Sequence, residues 1–447
     1  MQRTLNFEHI LTPAGIERHR ELKVDGAGRI SAIAPCDPAG PFDGWLALPG
    51  MPSAHSHAFQ RGLAGYGEAA RGEDSFWGWR EAMYRLAAGL DADALYEVSW
   101  RAYRDMLAAG FTSVAEFHYL HRRADGERAT ELVEAVIRAA SDAGIRLAFI
   151  PVFYQRGGFD APAGPGQARF LHRDVEDFLT LVAMYAEHCA GVAAHSLRAV
   201  PAGMIADMAL GAGELLGADR PVHIHISEQP AEVAACLAAT GRRPVHLLAE
   251  TVELGPHWSL VHATHADASE RAVILASGAT VVLCPLTEAY LGDGLFPAAE
   301  FAAAGGRLAL GTDSNVRIDA PEELRWLEYG QRLLTGRRGC FADADGLGAA
   351  LWGRLARGGA AALGQAVGAM EVGAYADIVT IDRANPWFAG AEGPAAVLDA
   401  LVTSGHGGCF EKAWVGGQRC APQDGGDFGT PLRRIMSGAG EGGGAGA

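Results

Sequence analysis

Eight short apolar runs separated by helical patterns, with turn-rich alternating segments at both ends, predict an α/β fold. The expected architecture is a (β/α)8 TIM-like barrel with a small β-sandwich domain built from both termini. The competing arrangement is an open doubly wound sheet. No G-x-G-x-x-G follows the first run, which counts against it. The 447 residues suit one large barrel with an appendage. The expected division is a β-domain part over 1–46, the barrel over 47–369, a second β-domain part over 370–436 and a flexible Gly-rich tail over 437–447.

The elements follow in order. Residues 1–46 carry short alternations around Leu5, Ile16 and Ile30, with Asp25-Gly26 as a hairpin turn. The barrel runs are the stretch from Leu48 to His57, then 113–119, 146–154, 191–196, 222–226, 259–263, 280–284 and 307–313. Helical periodicity covers 95–109, closed by Gly110, and 130–143, closed by Gly144. Asp74-Ser75 precedes another helix carrying Phe76, Trp77, Trp79, Met83 and Tyr84, and most of those aromatics read as core. Near the other end, 376–382 and 413–418 look like strands around a turn, matching the first segment.

Composition narrows the function. A formal net charge of -16 argues against a nucleic-acid or membrane-surface binder. The seven cysteines are scattered, none in C-x-x-C, which reads as reduced thiols in a cytoplasm. The first residues have no apolar signal core, and no run of about 18 apolar residues suggests a membrane span. The only lysines are Lys23 and Lys412, so the middle of the chain has none for a Schiff base or for carboxylation into a bridging metal ligand.

In a barrel of this kind the active site lies at the C-terminal strand ends. The first run ends in His55-Ser-His57, the second in Glu116-Phe-His118-Tyr119 and the fourth in His195-Ser-Leu-Arg198. The fifth carries His223, His225 and Glu228, the sixth His262, the seventh Cys284 and the eighth Asp313. Only 16 residues are histidine, yet five of the eight ends hold at least one. Satisfied core histidines account for one or two of these, not for the set. In an extended strand residues i and i+2 share a face, so His55 and His57 aim at one point. The reading is a single divalent metal held by His55, His57, His225 and Asp313, a donor set that suits zinc best. Such an ion lowers the pKa of a water beside it toward ~7. Glu228 is placed to carry protons, and His262 to hold or deprotonate the water. The plainer alternatives are a helix N-terminal acid for Glu228 and a buried structural histidine for His262.

These motifs resemble the amidohydrolase superfamily, with the strand-one H-x-H, His225-x-x-Glu228, His262 and Asp313 in the expected places. That resemblance implies the barrel and a β-domain from both termini. Members that bridge two metals use a carboxylated lysine on the fourth strand; here that strand ends in His195, so the chain is similar to the mononuclear deaminase branch. Within the branch, the stretches 51–61, 74–81, 114–119, 195–198 and 261–265 are similar to the N-formimino-L-glutamate deiminases of histidine breakdown. The resemblance implies hydrolysis of N-formimino-L-glutamate to N-formyl-L-glutamate and ammonia, with Glu228 protonating the imino nitrogen and Asp313 and His262 orienting the water. It also implies a homodimer.

A dicarboxylate substrate needs cationic forks. Arg198 with His195, and Arg80 with Tyr119, can each hold a carboxylate, and Gln60 stands close to the metal histidines. The plainer readings are a solvated helix residue for Arg80 and a structural salt bridge for Arg198. His118, His223 and His265 read as outer partners or packing residues. The nearest alternative function is a relative acting on a purine, pyrimidine or triazine ring. More distant is a non-catalytic metal-binding relative.

Overall fold

The computed structural model describes residues 2–66, 75–123, 125–421 and 429–437. The Asp74 cap and the tail beyond Ser437 lie outside these, and so do the side chains of Phe76 and Trp77.

Fifteen strands form two sheets among the described residues. The first four are β1 (Arg3–Thr12), β2 (Gly15–Val24), β3 (Ile30–Pro35) and β4 (Gly44–Pro49). Eight barrel strands follow: β5 (Met51–Ser56), β6 (Phe111–His118), β7 (Arg146–Phe153), β8 (Val192–Ser196), β9 (Val222–Ile226), β10 (Trp258–His262), β11 (Thr280–Leu283) and β12 (Arg307–Leu310). The last three are β13 (Ile378–Ile381), β14 (Phe410–Val415) and β15 (Gln418–Arg419).

The eight barrel strands pair in parallel in chain order. Most are buried along their whole length, as a parallel sheet covered by helices requires. The seam between the last and first strands closes through backbone bonds. Thr312 N and Asp313 N donate to the His55 carbonyl at 2.9 and 3.0 Å, and His57 N donates to the Asp313 carbonyl at 2.9 Å. The closure thus runs through the candidate metal ligands.

Both termini build the other sheet, in the order β15-β14-β13-β4-β1-β2-β3. Ile30 N donates to Ala374 O at 2.8 Å and Gly373 N to Ile30 O at 2.8 Å, joining the outer strand back to the segment that leads into β13. A separate small core lies inside, where the Phe7 and Trp414 rings meet edge to face at 5.9 Å.

One expectation needs correction. The apolar stretch from Leu48 to His57 is not one strand: β4 ends at Pro49 in the terminal sheet and β5 begins at Met51 in the barrel. Sheet membership changes at Gly50, where the backbone passes so close to β6 that a Cβ would stand 2.0 Å from Thr112 Oγ1. Helix α1 spans Ser75–Gly89, α2 spans Ala92–Ala108 and α3 spans Thr130–Ala143, ending at Gly144 as expected. The α2 start precedes its apolar pattern because the Asp91 side chain caps Ala94 N at 2.8 Å. No helix among the described residues is long and apolar enough to cross a membrane.

The helix Leu347–Leu363 covers the closing seam. Trp352 Nε1 donates to Pro49 O at 2.8 Å, and the Gly358 backbone rests against β12 so closely that a Cβ would stand 1.8 Å from Leu308 O. A backbone oxygen cannot swing aside as a side chain can. Gly358→Ala is therefore expected to lower unfolding free energy by about 1–3 kcal/mol, read as a reduced urea midpoint.

Candidate active site

Three imidazoles converge at the C-terminal mouth of the barrel. His55 Nε2 lies 3.1 Å from His57 Nε2 and 3.0 Å from His225 Nε2. Asp313 Oδ1 stands 3.5 Å from His55 Nε2 and 3.4 Å from His57 Nε2. All four residues are buried. His57 Nδ1 is 3.0 Å from Phe117 O, and His225 Nδ1 is 2.9 Å from His195 O. A carbonyl accepts only, so both Nδ1 atoms carry the proton and both Nε2 atoms present lone pairs inward. Facing lone pairs repel unless a cation lies between them. Two ligands about 2.0–2.1 Å from a tetrahedral zinc sit roughly 3.3 Å apart, close to these spacings. The donor set therefore fits a divalent ion.

Electrostatics agree. Burial holds His55 down to about 3 and His57 and His225 below their usual value, so the three are neutral at pH 7. Burial alone would raise the Asp313 carboxyl, but His55, His262 and His57 hold it well below the ordinary carboxylate range. It remains an anion. The Phe117 ring packs against His55, His57 and His225, with centroids 4.8, 5.3 and 4.6 Å away, and keeps the cluster floor apolar.

Strain gathers at the same place. Ser227, His262, Ala263, Asp313 and Asn315 all have positive φ, between 45° and 68°. Each such residue costs roughly 1 kcal/mol or more, and five at strand ends around one pocket mark a site that the barrel holds in shape.

His262 faces Asp313 across the pocket, its Nε2 3.7 Å from Oδ2. Its Nδ1 lies 3.3 Å from Glu288 Oε1. Burial would depress this imidazole, but Glu288, Glu228 and Asp313 together lift it to about 10. Glu228 Oε2 is 3.4 Å from the Arg198 guanidinium, whose Nε also approaches Glu232 Oε1 at 4.0 Å. Burial raises Glu232. Arg198 is thus in the pocket and also in an ion pair, the two readings that its position in the sequence left open.

The pocket is lined by His57, Gln60, Arg80, Tyr119, His195, Arg198, His225, Glu228, His262 and Asp313. His55 lies beneath it, wholly buried. The structure thus brings together all the candidate metal, proton-transfer and substrate-binding residues named above. Gln60 Nε2 donates to Tyr119 OH at 2.8 Å, and Arg80 Nε to Tyr84 OH at 2.6 Å. His118, His223 and His265 do not reach the cluster; they bond the carbonyls of Leu120, Ala362 and Asp293 at 3.0, 2.8 and 2.8 Å.

Trp79, Met83 and Tyr84 pack in or against the core, and they also line this pocket, because α1 packs over the barrel mouth. Three contributors were not anticipated. Tyr154, just past β7, and Phe170 join the pocket wall, and Tyr154 accepts a bond from Gln167. Glu288 holds His262 from behind. A strand end with no assigned function was the available signal for Tyr154. Nothing local marked Phe170 or Glu288.

The amidohydrolase family model matches residues 46–420. Over 413 residues the chain is 45% identical to a formimidoylglutamate deiminase of Pseudomonas aeruginosa, covering 89% of this chain and 90% of that protein. It is 30% identical over 347 residues to a 5-methylthioadenosine/S-adenosylhomocysteine deaminase of Halobacterium salinarum, covering 77% and 74%. The crystal structure of an amidohydrolase from Brucella melitensis superposes with a TM-score of 0.86 at 37% identity, covering 98% of each chain. A zinc-bound adenosine deaminase from Xanthomonas campestris shares the fold, with a TM-score of 0.77 at 22% identity over 97% of each chain.

Proposed function

The chain belongs to the amidohydrolase family, and from that premise we propose that it hydrolyses N-formimino-L-glutamate to N-formyl-L-glutamate and ammonia, a step of histidine breakdown. The observation that carries this reading is a metal-histidine pocket that also holds two guanidinium groups, Arg80 and Arg198, in a chain of net charge -16. A linear substrate with two carboxylates and one formimino group uses both arginines. The likeness to a formimidoylglutamate deiminase over most of the chain supports the same substrate.

A divalent ion held by His55, His57, His225 and Asp313 supplies Lewis acidity and an acidified water when bound. The donor set favours zinc, one per chain. The protein's own groups do the rest. Asp313 Oδ2 and His262 Nε2 face each other across the pocket and would orient the water toward the formimino carbon, the Asp313 anion taking up its proton and the protonated His262 holding its oxygen. Glu228 delivers a proton to the imino nitrogen as the water adds, then passes the proton of the new hydroxyl group to the same nitrogen; the carbon–nitrogen bond breaks, the formyl carbonyl forms and ammonia leaves. A substrate carboxylate arriving at Arg198 competes for the guanidinium that contacts Glu228, and leaves that carboxyl freer to carry its proton. Gln60 and Tyr119, bonded to each other, steady the other end of the substrate beside Arg80.

The free cysteines support a reducing, cytoplasmic setting. Trp326, Leu333 and Leu334 stand exposed on the helix Ala320–Thr335, an apolar surface that supports a homodimer.

A second reading has its own support. Trp79, Tyr84, Tyr119, Tyr154 and Phe170 line the pocket, and aromatic walls also suit a ring. Ammonia release should therefore be measured from N-formimino-L-glutamate beside guanine, cytosine and adenosine. Turnover of the first alone, lost on chelation and restored by about one zinc per chain, is the expected result. Turnover of a ring instead would replace the substrate assignment. Glu228→Gln should keep its metal and lose roughly 10²–10⁴ of kcat; a near-normal rate would remove the shuttle role. Arg198→Met should lower kcat/KM roughly ten- to hundredfold, mainly through KM, as expected for loss of a charged hydrogen bond.

A further inference from the structure

Asp313 divides its two carboxylate oxygens between two sides of the pocket. Oδ1 faces His55 and His57, and Oδ2 faces His262. Beside Asp313 and His262 stands a group that the deimination reading leaves idle. This is Cys284, the residue after β11, wholly buried and outside any disulfide. The ligand atoms of His262, Cys284 and Asp313 all lie within 4.8 Å of one another.

One carboxylate holds two of these residues in place. Glu288 accepts Cys284 N at 2.9 Å and pairs with His262 Nδ1 at 3.3 Å. The His262 Nε2 is thereby turned toward Asp313, and the backbone of Cys284 is fixed beside it. A carboxylate behind a histidine is the usual support of a metal ligand. Thiolate, imidazole and carboxylate together suit a borderline-soft ion such as zinc or cadmium, and discriminate against magnesium and calcium. Neighbouring donors around such an ion sit roughly 3.3–3.8 Å apart, so small side-chain rotations close the set.

We propose that His262, Cys284 and a carboxylate oxygen of Asp313 form a second, weaker site for a thiophilic divalent cation, and that filling it inhibits the enzyme. The proposal rests on the metal and deimination reading above. The site is weaker because it adjoins the first cation and shares Asp313 with it, so the two positive charges repel. It inhibits because it occupies His262 Nε2 and a carboxylate oxygen of Asp313, which the reaction needs to orient and deprotonate the water. Binding displaces the thiol proton of Cys284 and the Nε2 proton of His262, and both leave to solvent.

The test uses full-length protein carrying one equivalent of zinc, titrated with cadmium chloride, with magnesium chloride as control. Three quantities are read: near-ultraviolet thiolate-to-cadmium absorption, metal content after desalting, and ammonia release. Wild-type protein should gain a second metal, a new absorption band and a matching loss of activity, while magnesium does nothing. Cys284→Ser should keep the first zinc and the basal rate, lack that band, and need roughly tenfold more cadmium or greater for half-inhibition. Cys284→Ala, which leaves no donor atom, should behave in the same way. The proposal is overturned if both variants are inhibited at the wild-type concentration. It is equally overturned if wild-type protein shows no thiolate absorption beyond that of the variants, or if cadmium only exchanges with the first zinc. Should the protein release no ammonia from N-formimino-L-glutamate, the substrate reading fails on its own, while the absorption and metal count still decide the second site.

Discussion

Three neutral imidazoles bring their Nε2 atoms together, His55 lying 3.0–3.1 Å from the other two, with the Asp313 anion beside them. Such a donor set suits a cation, and much of the surrounding structure serves to hold it. The carbonyls of Phe117 and His195 set the tautomers. The Phe117 ring excludes water from beneath. The barrel seam ties the His55 and Asp313 backbones directly together, so ligands far apart in sequence share one set of hydrogen bonds. The glycine-faced helix over that seam then fixes the distance between the first and last barrel strands.

Around this centre the protein arranges charge in layers. Asp313 and the histidines occupy the floor. Glu228 and Arg198 stand at the wall as a loose pair, and Glu232 and Glu288 back them from within the protein. Burial pushes Asp293, behind Glu228, up to about 9, so it stays neutral at pH 7 and does not add to the anionic charge. The result is a local cationic reach from two arginines inside a strongly acidic chain. That contrast favours a small anionic substrate over any extended polyanion.

The candidate metal ligands were legible in the sequence because their signal is local. The spacing of His55 and His57 alone puts both on one face of a strand, and the positions of His225, His262 and Asp313 at the ends of the fifth, sixth and eighth strands follow from the βα repeat. The eight barrel runs were legible for the same reason, since buried parallel strands are short and apolar throughout. The division at Gly50 was not. Its two flanking runs are equally apolar, and only the close approach to Thr112 shows where one sheet hands over to the other. The aromatic residues of α1 pack against the core as their pattern suggests, but their place in the pocket wall was not legible, because an apolar face packed over a cavity and one packed in a core have the same periodicity.

What the amino-acid sequence determined by itself, then, is the (β/α)8 order, the donor set at the strand ends and the absence of a mid-chain lysine that could bridge two metals. These depend on residue type and on spacings of two to a few residues. Tertiary structure alone decided that Arg198 meets Glu228, that Tyr154 and Phe170 share a wall with Tyr84, and that Glu288 stands behind both His262 and Cys284. Most of these contacts cross the barrel mouth between loops distant in sequence. Their geometry follows from closing the sheet on itself, a constraint that no local stretch of the chain encodes.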